Sequence, residues 1–346
     1  MLRKLALNAA RFSGMGTLAG RFAGTSGAIL MLHRVTPDKG KPFGFNRHLA
    51  ITPQFLDDVL TEMRGLGFTF MSMDELAERL ASGRCVGRCA TVTADDGYLD
   101  NMQHALPVLE KHRAPITIYV APGLVDGEVD LWWDVLEDIV TKAAKVLLPT
   151  PDGPMTIPCG TAAEKSRANS LLQNYLTSEI SEQEQKAVLR DLADAVGVDF
   201  TQPSRETLMG WDDLRWISGH PLGTIGGHTV HHYNLMRLPP EKALAEMEEG
   251  ANALEGQLGT RPRHFAYPYG YASAVGPREV ALAGQAGFVT AVTTRHGVLK
   301  PGHGQHMRAL PRISINGRYQ QLGHVRTMVN GLTTPLANGG RTLVTV

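Results

Sequence analysis

The chain has 346 residues, with 34 basic side chains against 34 acidic and 43% hydrophobic residues. That length can bury a large core, and the balanced charge offers no field to draw nucleic acid or an anionic surface. Aromatic residues make up only 6%, which argues against a long sugar-stacking groove, and the three cysteines, Cys85, Cys89 and Cys159, are too few for a disulfide framework and fit a reducing compartment.

At the N-terminus Arg3 and Lys4 precede Leu5, Ala6 and Leu7, but Asn8 breaks the apolar run and Arg11 follows too soon for a secretory signal. Residues 1–28 read as an amphipathic helical segment, either packed on the body or resting on a membrane surface. The expected location is cytoplasmic, and the second of these two placements adds peripheral membrane contact through that helix. No later stretch reaches the length of a membrane span. Cys85 and Cys89 lack the additional ligands a structural zinc takes.

A strand over 29–32 ends at His33. Thr52-Pro53 then opens a helix whose apolar face is Phe55, Leu56, Val59, Leu60 and Met63, and Gly65 and Gly67 stop it. A strand-like run over 68–70, a short helix from Asp74 and a strand over 90–94 follow. A helix through Met102, Leu106 and Leu109 leads to a strand over 116–120. From about 131 to 216 the alternation is interrupted. A hairpin over 145–158, turning at Pro151-Asp152-Gly153-Pro154, precedes two polar helical stretches, the second from Ser181. This reads as a partly helical insertion on one connection of a main domain spanning 29–330. Alternation resumes with a strand over 222–227, a helix over 240–258, strands over 264–268 and 288–292 separated by a helix from Pro277, and a last strand over 310–315. The Gly/Thr-rich tail, 331–346, is expected to be poorly ordered.

Repeated strand–helix units predict an α/β fold with a parallel sheet, doubly wound or closed. No glycine-rich dinucleotide fingerprint follows the first strand. His33, Asp95, Asp96, His228, His232 and Tyr269 all fall at or just beyond strand C-termini, which favours a distorted, TIM-like (β/α) barrel of seven or eight strands.

Two segments carry the chemistry. Thr93-Ala94-Asp95-Asp96-Gly97-Tyr98 puts adjacent carboxylates at a strand end, and His228-Thr229-Val230-His231-His232 puts two imidazoles four residues apart. One carboxylate and two imidazoles make a three-point site for a divalent metal with positions left for water and substrate, and the spare carboxylate would serve as base. Convergence of His228 and His232 requires a helical turn after Gly227, with His231 pointing away. Asp-Asp-Gly alone is an ordinary turn sequence, and a lone histidine is usually a hydrogen-bonded structural residue. Together, each at a strand end, they point to metal-assisted hydrolysis. Asp134 and Glu137 read as a solvated helix face. Trp132 and Trp133 are a candidate sugar platform, with one of them in the core, and Tyr98 is either core or support for the site.

These segments resemble the motifs of the polysaccharide deacetylase superfamily, the fourth carbohydrate esterase family. Thr-Ala-Asp-Asp-Gly-Tyr is similar to its first motif, His-Thr-Val-His-His to its second, and Phe265-Ala266-Tyr267-Pro268-Tyr269-Gly270 to its third. Leu32-His33-Arg34-Val35 and Leu310-Pro311-Arg312-Ile313 resemble flanking segments of bacterial members. The resemblance implies removal of acetyl groups from N-acetylated sugars, with Asp95 as general base, Asp96, His228 and His232 holding the metal, and the Tyr269 N–H at the oxyanion. Zinc is the first expectation, with iron, cobalt or nickel accepted by the same ligands. It also implies a part in bacterial surface-polysaccharide or glycolipid assembly.

Two positions depart from the family. The arginine expected in the third motif is replaced by Ala266, leaving Arg312 as either its substitute or a surface ion pair. No C-terminal Leu-x-His motif supplies the acid, for which His33 is the main candidate; His303 and His306 read as solvated loop residues. The alternatives are a non-catalytic carbohydrate-binding relative and a hydrolase of small cyclic amides or imides.

Overall fold

In the computed structural model, residues 26–38, 40–83, 87–150 and 153–346 are described. The expected N-terminal helix, with its membrane contact, and Cys85 fall outside them. Among the described residues, no helix is long and apolar enough to cross a membrane.

Seven parallel strands form a closed barrel: β1 (Ala28–Leu32), β2 (Cys89–Ala94), β3 (Ile116–Val120), β4 (Gly223–Gly227), β5 (His264–Ala266), β6 (Thr290–His296) and β7 (Leu310–Ser314). Each lies beside its predecessor in sequence, and β7 returns to pair with β1. The β1–β2 ladder runs from Ala28↔Ala90 to Leu32↔Ala94. A two-residue strand, Thr69–Phe70, pairs with the start of β2 outside the ring.

β1, β2 and β3 are buried at every position, as strands covered on both faces must be. Their polar residues are satisfied internally. The Thr91 hydroxyl donates to Met71 O (2.7 Å) and that of Thr93 to Leu30 O (2.8 Å). Helix Pro53–Gly65 starts where expected, with the Thr52 hydroxyl accepting from Phe55 N at 3.1 Å. It buries Phe55, Leu56, Val59, Leu60 and Met63 against the barrel.

Val120 of β3 stands beside Gly227 of β4, so one connection carries the entire insertion. Helices Trp132–Lys142, Ala162–Asn174 and Glu182–Val196 and the antiparallel hairpin Lys145–Leu148/Met155–Pro158 enclose their own apolar cluster, including Val135, Ile139, Leu172 and Leu189. The sequence marks two of these helices by capping boxes, Thr161 with Glu164 and Ser181 with Glu184. Helix Trp211–Ser218 also lies largely within the span read as insertion, but it sends Leu214 and Ile217 into the barrel core.

Two expectations fail here. The tail is ordered rather than loose: residues Thr333–Ala337 form a short helix, the Thr334 hydroxyl accepts from Val298 N (3.2 Å), and Val344 is buried. Composition cannot reveal such anchors. His303 is not solvated; it is wholly buried, with Nε2 3.0 Å from Val344 O, and helps hold that tail.

Close packing of β4 depends on glycine. A Cβ at Gly226 would lie 2.5 Å from the Tyr119 ring and 2.9 Å from His264 O. Gly226→Ala is therefore expected to cost about 1–3 kcal/mol, read as a lowered urea midpoint; an unchanged midpoint would show that the strands can part without penalty.

Candidate active site

The strand ends open into one cleft lined by His33, Asp95, Asp96, His228, His232, Tyr269, Thr294, Trp132 and Trp133, with Asn46, His48, Leu49 and Gln173 at its sides. Among the described non-glycine residues, five have positive φ. Four are in or beside the site: Asp96 (71°), Thr229 (65°), His232 (57°) and Tyr269 (62°). Left-handed backbone costs a non-glycine residue of order 1–3 kcal/mol and persists only where surroundings enforce it. At Asp96, followed by Gly97 at φ 74°, it ends β2 and lets neighbouring carboxylates take different partners.

Asp96 Oδ1 lies 3.5 Å from His228 Nε2 and 3.4 Å from His232 Nε2. A tetrahedral cation about 2.1 Å from each donor would hold them roughly 3.4 Å apart. Asp96, His228 and His232 are the metal-capable cluster of histidine, cysteine and acidic residues found among the described residues. The protonation pattern fits a cation. His228 Nδ1 is 2.6 Å from Ala266 O, which can only accept, so the ring hydrogen sits on Nδ1 and the Nε2 lone pair faces Asp96. Burial lowers the His232 pKa to about 4, leaving that ring neutral at pH 7. His232 Nδ1 is buried with no hydrogen-bond partner, so nothing on that side of the ring prevents its Nε2 from offering a lone pair to a cation.

The imidazoles do not converge through a helical turn, as the four-residue spacing suggested. Residues 228–234 are irregular, and the left-handed residues Thr229 and His232 reverse the chain instead. Glu246 on helix Pro240–Leu258 fixes that path, accepting from Val230 N (3.0 Å) and His231 N (2.9 Å) and meeting His231 Nδ1 at 2.6 Å. His231 thus points away from the cleft, its pKa raised by the Glu246 hydrogen bond. Nothing in the sequence singled out Glu246.

Asp95 turns the other way. Arg312 clasps it bidentately, Nη1 to Oδ1 and Nη2 to Oδ2 at 2.7 Å each, while Nε donates to Thr293 O (2.9 Å) and Nη1 to Thr93 Oγ1 (3.2 Å). Arg312 is 1% exposed, which removes the surface ion pair as an account of it. Burial alone would raise the Asp95 pKa, but the Arg312 guanidinium holds it below the ordinary carboxylate range. His33 Nε2 lies 4.0 Å from Asp95 Oδ2. The strand end at His33 is tied down by Asn101 Nδ2, which donates to His33 O (2.7 Å), and by Asp100, which accepts from Arg34 Nε (2.8 Å) and Val35 N (3.0 Å).

Trp132 enters the insertion core, while Trp133 packs its ring 5.2 Å from that of His232 and donates from Nε1 to Tyr98 OH (2.9 Å). Tyr98 is wholly buried and supports Trp133. Asp134 and Glu137 are not a solvated face. They are 7% and 2% exposed and hold the 41–46 segment, because the helix side read as facing water packs under that loop. Burial raises the Asp134 pKa to about 6.

The fold and site define a (β/α) barrel with a metal-capable cluster at the C-terminal ends of its strands. The polysaccharide deacetylase family model matches residues 175–289, a stretch that contains His228, His232 and Tyr269 but not the two aspartates. Among solved structures, the deacetylase PplD of Streptococcus pyogenes superposes with TM-score 0.53 at 20% identity over 88% of this chain and 98% of its own. IcaB of Ammonifex degensii gives 0.57 at 20% over 89% and 98%. The BpsB deacetylase domain of Bordetella bronchiseptica gives 0.51 at 16% over 84% and 96%. No curated protein matches by sequence. The family model thus covers about a third of this chain, and the solved structures share its fold over most of its length.

Arg312→Met leaves the Asp95 carboxylate buried without its partner and is expected to cost about 3–5 kcal/mol at pH 7, measured by urea unfolding. Because the Asp95 pKa is lowered in the folded state, the pair's contribution is complete above the ordinary carboxylate range. The gap between wild type and variant should therefore close as pH falls through the lowered Asp95 value. A gap independent of pH would mean the loss is one of packing.

Proposed function

We propose that this chain is a metal-dependent hydrolase that removes the N-acetyl, or another N-acyl, group from an amino sugar in a polysaccharide, oligosaccharide or glycolipid precursor. The observation that carries the reading is the meeting of Asp96, His228 and His232 around one point, with the Arg312-held Asp95 beside them.

Asp96, His228 and His232 would hold a divalent cation, zinc first by ligand type, which would lower the pKa of water and polarise the amide carbonyl. Asp95 accepts the proton of the water whose oxygen bonds to the acyl carbon. Arg312 keeps that carboxylate ionised and aimed. The Tyr269 N–H donates to the carbonyl oxygen as it gains charge. The carbon–nitrogen bond then breaks, and the sugar nitrogen takes a proton from His33, leaving a carboxylate and a free amine. The Arg312 clasp supports this catalytic reading over a carbohydrate-binding relative, since it restores the contact missing at Ala266. A cytoplasmic, membrane-peripheral location and a lipid- or nucleotide-linked substrate are part of the proposal. The location is tested by fractionation of cells expressing the full chain, and the substrate by acetate release from lipid- and nucleotide-linked N-acetyl sugars.

Asp95→Asn is expected to lower acetate release from N-acetylglucosamine oligomers by at least about 100-fold while the purified variant keeps its zinc stoichiometry. Retained activity would remove Asp95 from the role of base, and metal-free protein of full activity would end the metal reading. Glu246→Ala, which frees the loop between the two histidines, is expected to weaken zinc about 10–100-fold, read by calorimetric titration. Unchanged affinity would show that the left-handed residues suffice to hold the loop.

A further inference from the structure

One wall of the cleft comes from residues 41–50, between β1 and helix Pro53–Gly65, which carry no recognised motif. It is fastened at both ends. On the insertion side, Glu137 accepts from Phe45 N (3.0 Å) and Asn46 N (3.2 Å), and Lys41 Nζ donates to Asp134 O (3.1 Å) and Asp138 Oδ2 (2.6 Å). On the barrel side, Ala50–Ile51 pairs with Arg34–Val35. Gly317, just past β7, sits so close that a Cβ there would lie 2.3 Å from Arg47 O and 2.5 Å from Ala50 O.

This fastening orients the two polar side chains that the segment brings to the cleft, Asn46 and His48. Asn46 Nδ2 donates to Trp133 O (2.7 Å) and to Asp134 Oδ1 (3.2 Å). Both partners accept, so the amide orientation is settled, both its hydrogens are used, and only Oδ1 can take a new bond. His48 Nδ1 faces Phe45 O at 3.2 Å, an acceptor again, so the hydrogen lies on Nδ1 and Nε2 is left with a lone pair. Burial and the nearby Arg318 lower the His48 pKa to about 4, keeping the ring neutral. Neither Oδ1 nor Nε2 has a hydrogen-bond partner among the described residues.

We propose that Asn46 and His48 form a hydroxyl-binding subsite, two acceptors two residues apart that take neighbouring hydroxyl groups of a sugar ring. The inference rests on the deacetylase reading of the cleft and deepens it. Two acceptors with no donor of their own to offer call for donating groups on the ligand, which the hydroxyls of a glycosyl ring supply. Glu137 is a positioning residue for it, acting through the backbone of Phe45 and Asn46.

The test compares N-acetylglucosamine oligomers with N-cyclohexylacetamide, which keeps the amide and lacks every hydroxyl. Asn46→Leu and His48→Phe should each raise KM for the oligomer about 10-fold with kcat little changed, and leave kcat/KM for N-cyclohexylacetamide as in wild type. Monodeoxy oligomers offered to unaltered protein guard against a variant that misfolds. One of them should lose a similar factor, and Asn46→Leu should add nothing further to that loss. Equal losses on both substrates, or none on the oligomer, overturn the subsite. If wild type releases no acetate from any substrate, the deacetylase reading fails separately. Calorimetric titration with the same oligomers then decides the subsite: binding weakened about 10-fold by Asn46→Leu supports it, and binding that is absent or unchanged overturns it.

Discussion

The buried pair of Arg312 and Asp95 depends on barrel closure more than any other contact in the cleft. β1 pairs with β2 on one side and β7 on the other. Arg312 therefore reaches past β1 to a carboxylate two strands away, a span that suits its long side chain. Its planar fork then satisfies both carboxylate oxygens at once, which a lysine could not do. Opening the ring between β1 and either neighbour would strand a charge in the core. The same closure places His33, one residue past the Leu32↔Ala94 register, beside Asp95.

The metal-capable side is built by a different device. Asp96, Thr229 and His232 all sit in left-handed backbone, a conformation that β-branched Thr229 in particular resists. The surroundings hold it there. Glu246 gathers the amides of Val230 and His231, Thr229 Oγ1 accepts from His232 N (2.9 Å), and Trp133 and Tyr269 pack their rings near that of His232. Gly250 lets the helix approach so closely that a Cβ there would lie 2.8 Å from Thr229 O. Strain is thus concentrated at two of the three donors, Asp96 and His232, and at Thr229 beside the third, and the helix behind the loop opposes its release.

The insertion connects the two halves of the cleft. Trp133 and Gln173 bring it to the mouth, and Asp134 and Glu137 fasten the segment opposite. The family model matches only from residue 175, so the first motif and this wall lie outside the matched stretch.

Much of the barrel was legible because parallel strands buried on both faces must be continuous apolar runs, and helices announce their starts through residues such as Thr52 and Ser181. The carboxylates and imidazoles were legible because metal chemistry permits few residue types at strand ends. What stayed hidden depends on distant partners. Glu137 looks like a solvated helix charge until residues 43–46 fold over it, and Glu246 resembles any glutamate on helix Pro240–Leu258. His303 is a loop histidine until Val344 returns to meet it. Local pattern determined the strands, the helices and the reactive residue types, since propensity and periodicity act within a few neighbours. Only tertiary structure decided that Arg312 would serve Asp95 and that Asn46 and His48 would face the cleft, because those pairings join residues tens to hundreds of positions apart, through contacts that no local pattern encodes.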